Sequence, residues 1–313
     1  MSTITTPEEQ ATAAIAGVAY DGEFVPVERA NISVLDFGFT RSDVTYDVVH
    51  VWNGGFFRLE HHLDRFLRSV AKLRMSLPFS RDQLRAILAE CVRRAGLRSA
   101  YVCMLCTRGR PLQGSRDLRL CRNRFLAYAI PFIWVGGQER QAEGISAIIS
   151  TIRRIPPESV DPTVKNYHWL DLEQALFEAY DRGADTAILL GIDGNVTEGP
   201  GFNAFAVFKG RTITPARGVL EGITRQTVID ICRDHGIPIE VSAISGEAFR
   251  NADEIFLTST AGGIIPLVSL DGRILGNGKP GPMTMRIRDL YWDRHDAPTE
   301  YTPIDYEDPA PIA

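Results

Sequence analysis

The chain has 313 residues, of which 44% are hydrophobic, and a formal net charge of −5 with an isoelectric point near 5.7. This composition is sufficient for a large core in two lobes, and the absence of lysine and arginine blocks disfavours a nucleic-acid or membrane surface, so the expected partner is a small molecule. The first residues lack a signal-peptide pattern, and no apolar run is long enough to span a membrane. The five cysteines are scattered along the chain, as is typical of reduced thiols. These three observations together predict a cytoplasmic location.

The N-terminal part, residues 1–131, is predicted to form a small lobe of strands and helices. Alternating hydrophobic residues and turn residues predict the strands, and apolar residues at helical spacing predict the helices. The predicted elements are a hairpin around Asp21-Gly22, strands Tyr46 to Trp52, Ala100 to Thr107 and Arg124 to Pro131, and helices Glu60 to Met75 and Arg81 to Ala95. Residues 36–43 are predicted to be a turn region. Cys103 and Cys106 fall on opposite faces of one strand, so no metal site is predicted.

Residues 132–138, FIWVGGQ, are predicted to link this lobe to a larger C-terminal lobe at residues 139–313. In the second lobe, short strands alternate with turn signals. Its predicted helices are His168 to Arg182, Gly222 to His235 and Pro282 to Arg294. The proline-containing tail after Asp296 is expected to be loosely attached. Because the strands outnumber the helices and often pair as hairpins, the predicted fold class is α+β.

A proline-rich connector, Arg153 to Leu170, presents a single lysine, Lys165, just before a predicted helix. Pro156, Pro157 and Pro162 restrict the backbone of this connector. A lysine held in this way is suited to act as an amine nucleophile. An ordinary solvated lysine has the same spacing, and the connector alone favours that interpretation.

Four other features of the sequence supply hydrogen-bond donors for an anion, and a carboxylate. The helix start at Gly222 to Arg225 offers free backbone N–H groups to a phosphate, and the turn Thr258 to Gly263 offers hydroxyls and further N–H groups. Arg65 lies off the apolar stripe of its helix and can bind a phosphate with two hydrogen bonds. Glu198, at a bend rich in glycine, can pair with a protonated ring nitrogen. Each feature has an ordinary structural explanation alone, but together they match the needs of pyridoxal phosphate.

Six collinear motifs resemble the fold-type IV pyridoxal-phosphate enzymes, which include branched-chain and D-amino acid aminotransferases, and within that group most resemble the (R)-selective amine transaminases. The motifs are SDVTYDV (42–48), FFRLEHHLDR (56–65), RIPPESVDPTVKN (154–166), TEGPGFN (197–203), RGVLEGITR (217–225) and DEIFLTSTAGGI (253–264). The resemblance covers roughly residues 17 to 296. It implies a small N-terminal α/β lobe, a larger C-terminal lobe with a mostly antiparallel, barrel-like sheet, and pyridoxal 5'-phosphate as the cofactor.

The resemblance also implies residue roles. Lys165 matches the lysine that forms a Schiff base with the cofactor, and Glu198 matches the partner of the pyridine nitrogen. The other residues that match the cofactor site are Arg65, Leu220, Ile223, Thr224 and Thr260. The residues placed in the substrate pocket are Arg41, Tyr46, Val48, Trp169, Arg110, Arg116 and Ala261. The implied assembly is a homodimer with active sites near the subunit interface.

Two departures from the pattern concern the substrate. Arg41 stands where the amine transaminases carry histidine, and the usual carboxylate-binding arginine aligns near Gly114, between Arg110 and Arg116. Any of these three arginines is a candidate to hold a substrate carboxylate. The predicted reaction is transfer of an amino group from an (R)-amine or D-amino acid to a keto acid such as pyruvate, through a Lys165 aldimine. The alternatives are a D-amino acid or branched-chain amino acid aminotransferase, less favourably an aminodeoxychorismate lyase, and a binding protein without catalytic activity.

Overall fold

The computed structural model describes residues 17–113, 115–135 and 137–307. The strands of the first sheet are β1 (Val18–Tyr20), β2 (Phe24–Pro26), β3 (Val44–Trp52), β4 (Gly55–Phe57), β5 (Ala100–Thr107), β6 (Arg124–Pro131) and β16 (Tyr301–Pro303). The strands of the second sheet are β7 (Ile145–Arg153), β8 (Thr186–Leu190), β9 (Glu198–Gly199), β10 (Phe202–Phe208), β11 (Arg211–Thr214), β12 (Ile239–Val241), β13 (Glu254–Ser259), β14 (Gly263–Leu270) and β15 (Arg273–Ile274). The helices are α1 (Phe37–Arg41), α2 (Leu59–Lys72), α3 (Arg81–Ala95), α4 (Gln138–Glu143), α5 (Leu170–Asp181), α6 (Ile223–Asp234), α7 (Gly246–Arg250) and α8 (Pro282–Asp293). No helix within the described ranges combines the length and the apolar character needed to cross a bilayer.

The two sheets differ in their strand pairing. The first has the order β16-β4-β3-β5-β6-β1-β2, and each of its pairs is antiparallel. The second has the order β12-β11-β10-β13-β14-β7-β8, with β9 added to β10 and β15 to β14. Its parallel pairs are β11–β12, β14–β7 and β7–β8, and its other pairs are antiparallel. The predicted α+β class is therefore confirmed.

Local capping explains both ends of α3 and the start of α1. The Ser80 hydroxyl accepts a hydrogen bond from the Gln83 N–H, the Gln83 side chain accepts one from the Ser80 N–H, and Gly96 ends α3 with φ +66°. These bounds agree with the predicted helix. The predicted turn region at 36–43 instead contains α1, because Asp36 accepts a hydrogen bond from Gly38 N–H and caps a short helix. The polar composition of the segment concealed this helix.

Each sheet has a hydrophobic core, which it forms with the helices that pack on it. Helices α2 and α3 cover one face of the first sheet with a cluster that includes Leu63, Phe66 and Ile87. Helices α6 and α8 pack on the second sheet in another cluster, which includes Val228 and Ile287. The other face of α2 is also buried, and this is why Arg65, although it lies off the apolar stripe, is only 3% exposed.

The described part of the tail, residues 297–307, is not loosely attached, which corrects the expectation from sequence for these residues, whereas residues 308–313 lie outside the described ranges. Strand β16 extends the first sheet, with Tyr301 opposite Phe57. The adjacent Glu300 accepts a hydrogen bond from the buried Arg58 guanidinium at 2.8 Å. Pro303, one of the prolines that suggested a loose tail, is compatible with its place in β16, because an edge strand leaves part of its backbone unpaired.

Candidate active site

The connector between β7 and α5 is fastened to the first sheet, and this fixes the backbone of Lys165. The Lys165 carbonyl accepts hydrogen bonds from the Tyr46 N–H at 3.1 Å and from the Thr45 hydroxyl at 2.8 Å. Asn166 forms an isolated β-bridge with Thr45. A segment from the second half of the chain thus places Lys165 beside the first residues of β3.

The amino group of Lys165 lies against an aromatic ring. Its Nζ is 4.5 Å from the centroid of Tyr46, and the Tyr46 ring stacks on Tyr167 with centroids 4.2 Å apart. Burial, and then the positive charge of Arg65, lower the pKa of Lys165 from 10.5 to about 8. At pH 7 about one tenth of such a lysine is uncharged, against about 0.03% of an ordinary one. Lys165 is therefore suited to act both as a nucleophile and as a base.

Arg65 is held in place by a buried acid. Its Nε donates to Asp47 Oδ2 at 2.7 Å, its Nη2 donates to Asp47 Oδ1 at 2.8 Å, and its Nη1 donates to the Glu221 carbonyl at 3.0 Å. His62 Nδ1 also contacts Asp47 Oδ1, at 2.8 Å. Burial alone would raise the pKa of Asp47, but Arg65 and His62 outweigh it and hold that pKa well below its usual range. The Arg65 charge therefore has a fixed position. Neither Asp47 nor His62 was predicted from the sequence to belong to the site.

Glu198 is held by a second buried ion network. Its Oε1 accepts a hydrogen bond from Arg154 Nε at 3.2 Å, and its Oε2 accepts one from the Leu220 N–H at 2.8 Å. Arg154 also donates to Asp171 at 2.7 Å. Burial raises the pKa of Glu198, and the neighbouring Arg154 charge offsets part of that rise. Arg154 and Asp171 were not identified from sequence, because nothing in their spacing shows that they meet.

The first turn of α6 supplies backbone donors. Its N-cap residue is Gly222, and no side chain caps the helix, so the N–H groups of Ile223 and Thr224 are not occupied by a cap. A side chain at position 222 has no room, because a Cβ there would lie 2.1 Å from Asn203 Oδ1. The Asn203 side chain donates to the Leu220 carbonyl at 3.0 Å and so holds the segment before the helix. This close approach requires glycine at position 222.

These groups line one pocket, which encloses about 610 Å³ including its open mouth. The predicted residues among those that line it are Lys165, Arg65, Glu198, Leu220, Ile223, Thr224, Thr260, Tyr46 and Trp169. Thr258 also lines the pocket, and its buried hydroxyl has no hydrogen-bond partner among the described residues. Arg65 with the start of α6 suits an anion, Glu198 suits a protonated nitrogen, and Lys165 is an available amine.

The structure does not bring the other predicted residues to this pocket. Arg41 lines a second pocket of about 820 Å³, which shares Val164 and Asn166 with the first. Arg110 and Arg116 are exposed and do not line either pocket of the single chain. Val48 and Ala261 are buried and likewise do not line the first pocket.

Comparisons with known proteins agree on the family. Residues 45–270 match the family described as amino-transferase class IV. The chain is 31% identical over 275 residues to a putative branched-chain-amino-acid aminotransferase of Methanocaldococcus jannaschii, covering 87% of this chain and 94% of that protein. It is 29% identical over 273 residues to D-alanine aminotransferase of Bacillus licheniformis, covering 87% of this chain and 94% of that protein. The crystal structure of a T.th. branched-chain amino acid aminotransferase with pyridoxamine 5'-phosphate aligns with a TM-score of 0.85 at 30% identity, covering 92% of this chain and 99% of that chain.

Agreement over most of the chain in both sequence and fold establishes the class of protein as an aminotransferase. The chain belongs to the class IV aminotransferase family. This membership confirms the predicted fold-type IV architecture, the predicted enzyme class and pyridoxal phosphate as the cofactor. The pocket fits that cofactor, because it offers donors for a phosphate, the unpartnered Thr258 hydroxyl, a buried carboxylate and a lysine of lowered pKa.

Proposed function

We propose that the protein transfers an amino group from an (R)-amine to a keto acid such as pyruvate. The observation that supports this proposal most strongly is that the arginines lining the pocket already form ion pairs with buried carboxylates. Among the described residues that line it, Arg65 is paired with Asp47, and Arg154 is paired with Glu198 and Asp171. A donor that lacks a carboxylate suits a pocket in which both arginines are already paired with buried acids.

The pocket walls also favour an apolar substituent on the amine. Tyr46, Trp169, Leu172 and Phe202 line the pocket near Lys165. The Trp169 indole N–H is occupied, since it donates to the Asn166 carbonyl at 3.1 Å. The faces of these side chains therefore present mostly apolar area to a ligand.

The residues have separable roles in the proposed reaction. Arg65, the backbone of Ile223 and Thr224, and the Thr260 hydroxyl would hold the cofactor phosphate, and Glu198 would pair with its ring nitrogen. When bound, pyridoxal phosphate supplies the electron sink for the substrate carbon. Lys165 Nζ, when uncharged, would take the proton from the amine-bearing carbon and deliver it to the cofactor, so that the amino group would stay with the cofactor and the substrate would leave as a ketone. Its lowered pKa keeps a useful fraction in that form near neutral pH.

The keto acid requires a cation, and Arg41 is the candidate. The Arg41 guanidinium lies 3.5 Å from the centroid of Phe37, and no carboxylate of the described residues forms an ion pair with it. It lines the pocket next to the cofactor site, on the other side of Val164 and Asn166, where His168 is also present. We assign Arg41 to the carboxylate of the acceptor.

A second candidate function is a D-amino acid or branched-chain amino acid aminotransferase. Named relatives of both kinds support it, and the free guanidinium of Arg41 is its structural support. In that case Arg41 would hold the carboxylate of the donor as well as that of the acceptor.

Donor rates distinguish the two candidates. With 2-oxobutyrate as the common acceptor, we expect (R)-1-phenylethylamine to react about 100-fold or more faster than its (S) enantiomer, and faster than D-alanine or L-leucine. We expect Arg41→Ala to raise KM for the keto acid with little change in KM for the amine. The proposal fails if D-alanine or L-leucine is the fastest donor, or if the (S) enantiomer is preferred.

We also propose that the protein is a homodimer. Three apolar side chains close to Arg41 in the sequence expose 65–70% of their area in the single chain, namely Val34, Leu35 and Phe39. A second copy of the chain is the proposed cover for these side chains. Sedimentation equilibrium is expected to give about twice the chain mass of 34.7 kDa. A mass of one chain at micromolar concentration would refute the proposal.

A further inference from the structure

A buried arginine outside the pocket is bonded to the helix that begins at the pocket. Arg58 lies between β4 and α2, and its side chain is only 5% exposed. Its Nη1 donates to the Thr227 hydroxyl of α6 at 3.0 Å, and its Nη2 donates to Asp230 of α6 at 3.0 Å. Arg58 is not among the residues that line the pocket, so it does not touch a ligand there.

The tail of the chain fixes the position of Arg58. The Arg58 N–H donates to the Glu300 carbonyl at 2.7 Å, and Arg58 Nη2 donates to Glu300 Oε1 at 2.8 Å. The backbone of Arg58 has φ +53°, a left-handed conformation that is uncommon for residues other than glycine. A planar guanidinium that is bonded along several of its edges keeps one orientation. Arg58 is therefore a fixed point beside α6.

Thr227 carries the contact from Arg58 to the first turn of α6. The Thr227 side chain is fully buried, and its hydroxyl donates to the Ile223 carbonyl at 2.8 Å. A threonine hydroxyl has one hydrogen and two lone pairs, so its oxygen remains free to accept from Arg58. The hydrogen bonds thus run in one direction, from the Arg58 N–H through the Thr227 hydroxyl to the Ile223 carbonyl.

The Ile223 carbonyl belongs to the same peptide group as one of the proposed phosphate donors, the Thr224 N–H. A trans peptide group is planar, and its C=O and N–H point in opposite directions. A bond that holds the Ile223 carbonyl along the helix therefore also directs the Thr224 N–H towards the start of the helix. Ile223 and Thr224 both line the pocket, and no side chain caps α6.

We propose that Arg58 and Thr227 are positioning residues for the cofactor phosphate. They hold the Ile223 carbonyl, and the peptide group that contains this carbonyl directs the Thr224 N–H into the pocket. A chain of hydrogen bonds that begins on a cation is polarised, and it is stronger than the same bonds made separately by neutral groups. This inference rests on the proposed function, because it needs the phosphate at the start of α6.

Two substitutions at Thr227 distinguish this role from ordinary packing. Thr227→Val keeps the shape of the buried side chain and removes its hydroxyl, whereas Thr227→Ser keeps the hydroxyl and removes a methyl group. We expect pyridoxal phosphate to bind about five- to tenfold more weakly to Thr227→Val, and to bind Thr227→Ser within about twofold of the wild type. A packing role would give the reverse order, because only serine leaves a cavity.

Arg58→Gln tests the first residue of the hydrogen-bond chain. It should also weaken the binding of pyridoxal phosphate, and its effect should be smaller in a Thr227→Val background, because the chain is already broken there. Arg124→Gln is the matched control, since Arg124 is a partly buried arginine of β6 that pairs with Asp21 and does not line the pocket. This control should leave the affinity for pyridoxal phosphate unchanged.

The experiment titrates each apo-protein with pyridoxal phosphate and with pyridoxal, which lacks the phosphate. Tryptophan fluorescence reports binding, because Trp169 lines the pocket. Pyridoxal should bind every variant as it binds the wild type, since the substitutions act on a phosphate donor. The melting temperatures of the apo-proteins show whether each variant is folded, and the Thr227 pair decides the result if Arg58→Gln does not fold.

Four outcomes would overturn the proposal. They are equal affinities of Thr227→Val and the wild type for pyridoxal phosphate, equal losses for pyridoxal phosphate and pyridoxal, weaker binding to Thr227→Ser than to Thr227→Val, and additive effects of the Arg58 and Thr227 substitutions. Wild-type protein that binds the two ligands equally would instead refute the proposed phosphate site. That result is distinct from a wild-type preference for pyridoxal phosphate that Thr227→Val retains.

Discussion

The Lys165→Ala variant is expected to lose transaminase activity by about 10⁴-fold or more, because the substitution removes the group that we propose both as the amine that binds the cofactor and as the base that moves the proton. No other lysine can replace it. The sequence has four lysines, and the other three, Lys72, Lys209 and Lys279, are exposed. Initial rates with (R)-1-phenylethylamine and a keto acid measure the loss.

The fold of this variant should be intact. The hydrogen bonds that fasten the connector use the Lys165 carbonyl, which alanine retains. The melting temperature of the apo-protein is therefore expected to stay the same or to rise, since a buried cation is removed. Lys209→Ala, at an exposed turn, is the matched control and should keep its activity within about twofold. Comparable activity in Lys165→Ala and Lys209→Ala would exclude Lys165 as the reactive group.

Glu198→Gln is expected to reduce kcat by about 10²- to 10³-fold, with a smaller change in cofactor affinity. The amide has nearly the same shape, and its oxygen can still accept from Arg154 or the Leu220 N–H, which preserves the geometry of the site. The substitution removes the negative charge that, in the proposed mechanism, would pair with the ring nitrogen of the cofactor. In a buried site the electrostatic interaction of that charge with a protonated nitrogen is stronger than in water, because the local dielectric constant is low.

Steady-state kinetics and cofactor titration together test the role of Glu198. The matched control is Glu240→Gln, which removes a carboxylate exposed to solvent and paired with Arg211. The control should leave kcat unchanged, because a surface ion pair contributes little. A Glu198→Gln enzyme with kcat within about threefold of the wild type would remove Glu198 from the proposed mechanism.

Local signals in the sequence were sufficient for many elements of the fold. Ser80, Gln83 and Gly96 define both ends of α3, and the predicted and observed bounds of that helix agree. The predicted helix from Gly222 to His235 is observed as Ile223–Asp234. Capping, glycine and apolar spacing act over a few residues, so they can be recognised without knowledge of the tertiary structure.

The supporting residues of the site could not be predicted in this way. Asp47 lies on β3 and its partner Arg65 lies on α2, and only the packing of that helix on the sheet brings them together. Arg154 in the connector pairs with Asp171 of α5 and with Glu198 of β9, and only the tertiary arrangement of these elements brings the three residues together. Long motifs located Lys165 and Glu198, but these motifs do not show which buried ions hold them.

The attachment of the tail also could not be predicted from local sequence signals. Its prolines suggested loose attachment, but the pairing of β16 depends on the distant strand β4 and on the Arg58–Glu300 ion pair. The position of the predicted substrate arginines also depends on the tertiary structure. Arg41 reaches a pocket because α1 ends beside the connector, whereas Arg110 and Arg116 lie on an exposed loop of the single chain.

The most direct test of the account is to find which lysine carries the cofactor. Protein loaded with pyridoxal phosphate is treated with borohydride, which fixes the cofactor to its lysine, and the digested protein is mapped by mass spectrometry. We expect modification at Lys165, with little or none at Lys72, Lys209 or Lys279. Modification concentrated at one of the exposed lysines, or wild-type protein that retains no cofactor, would contradict the account.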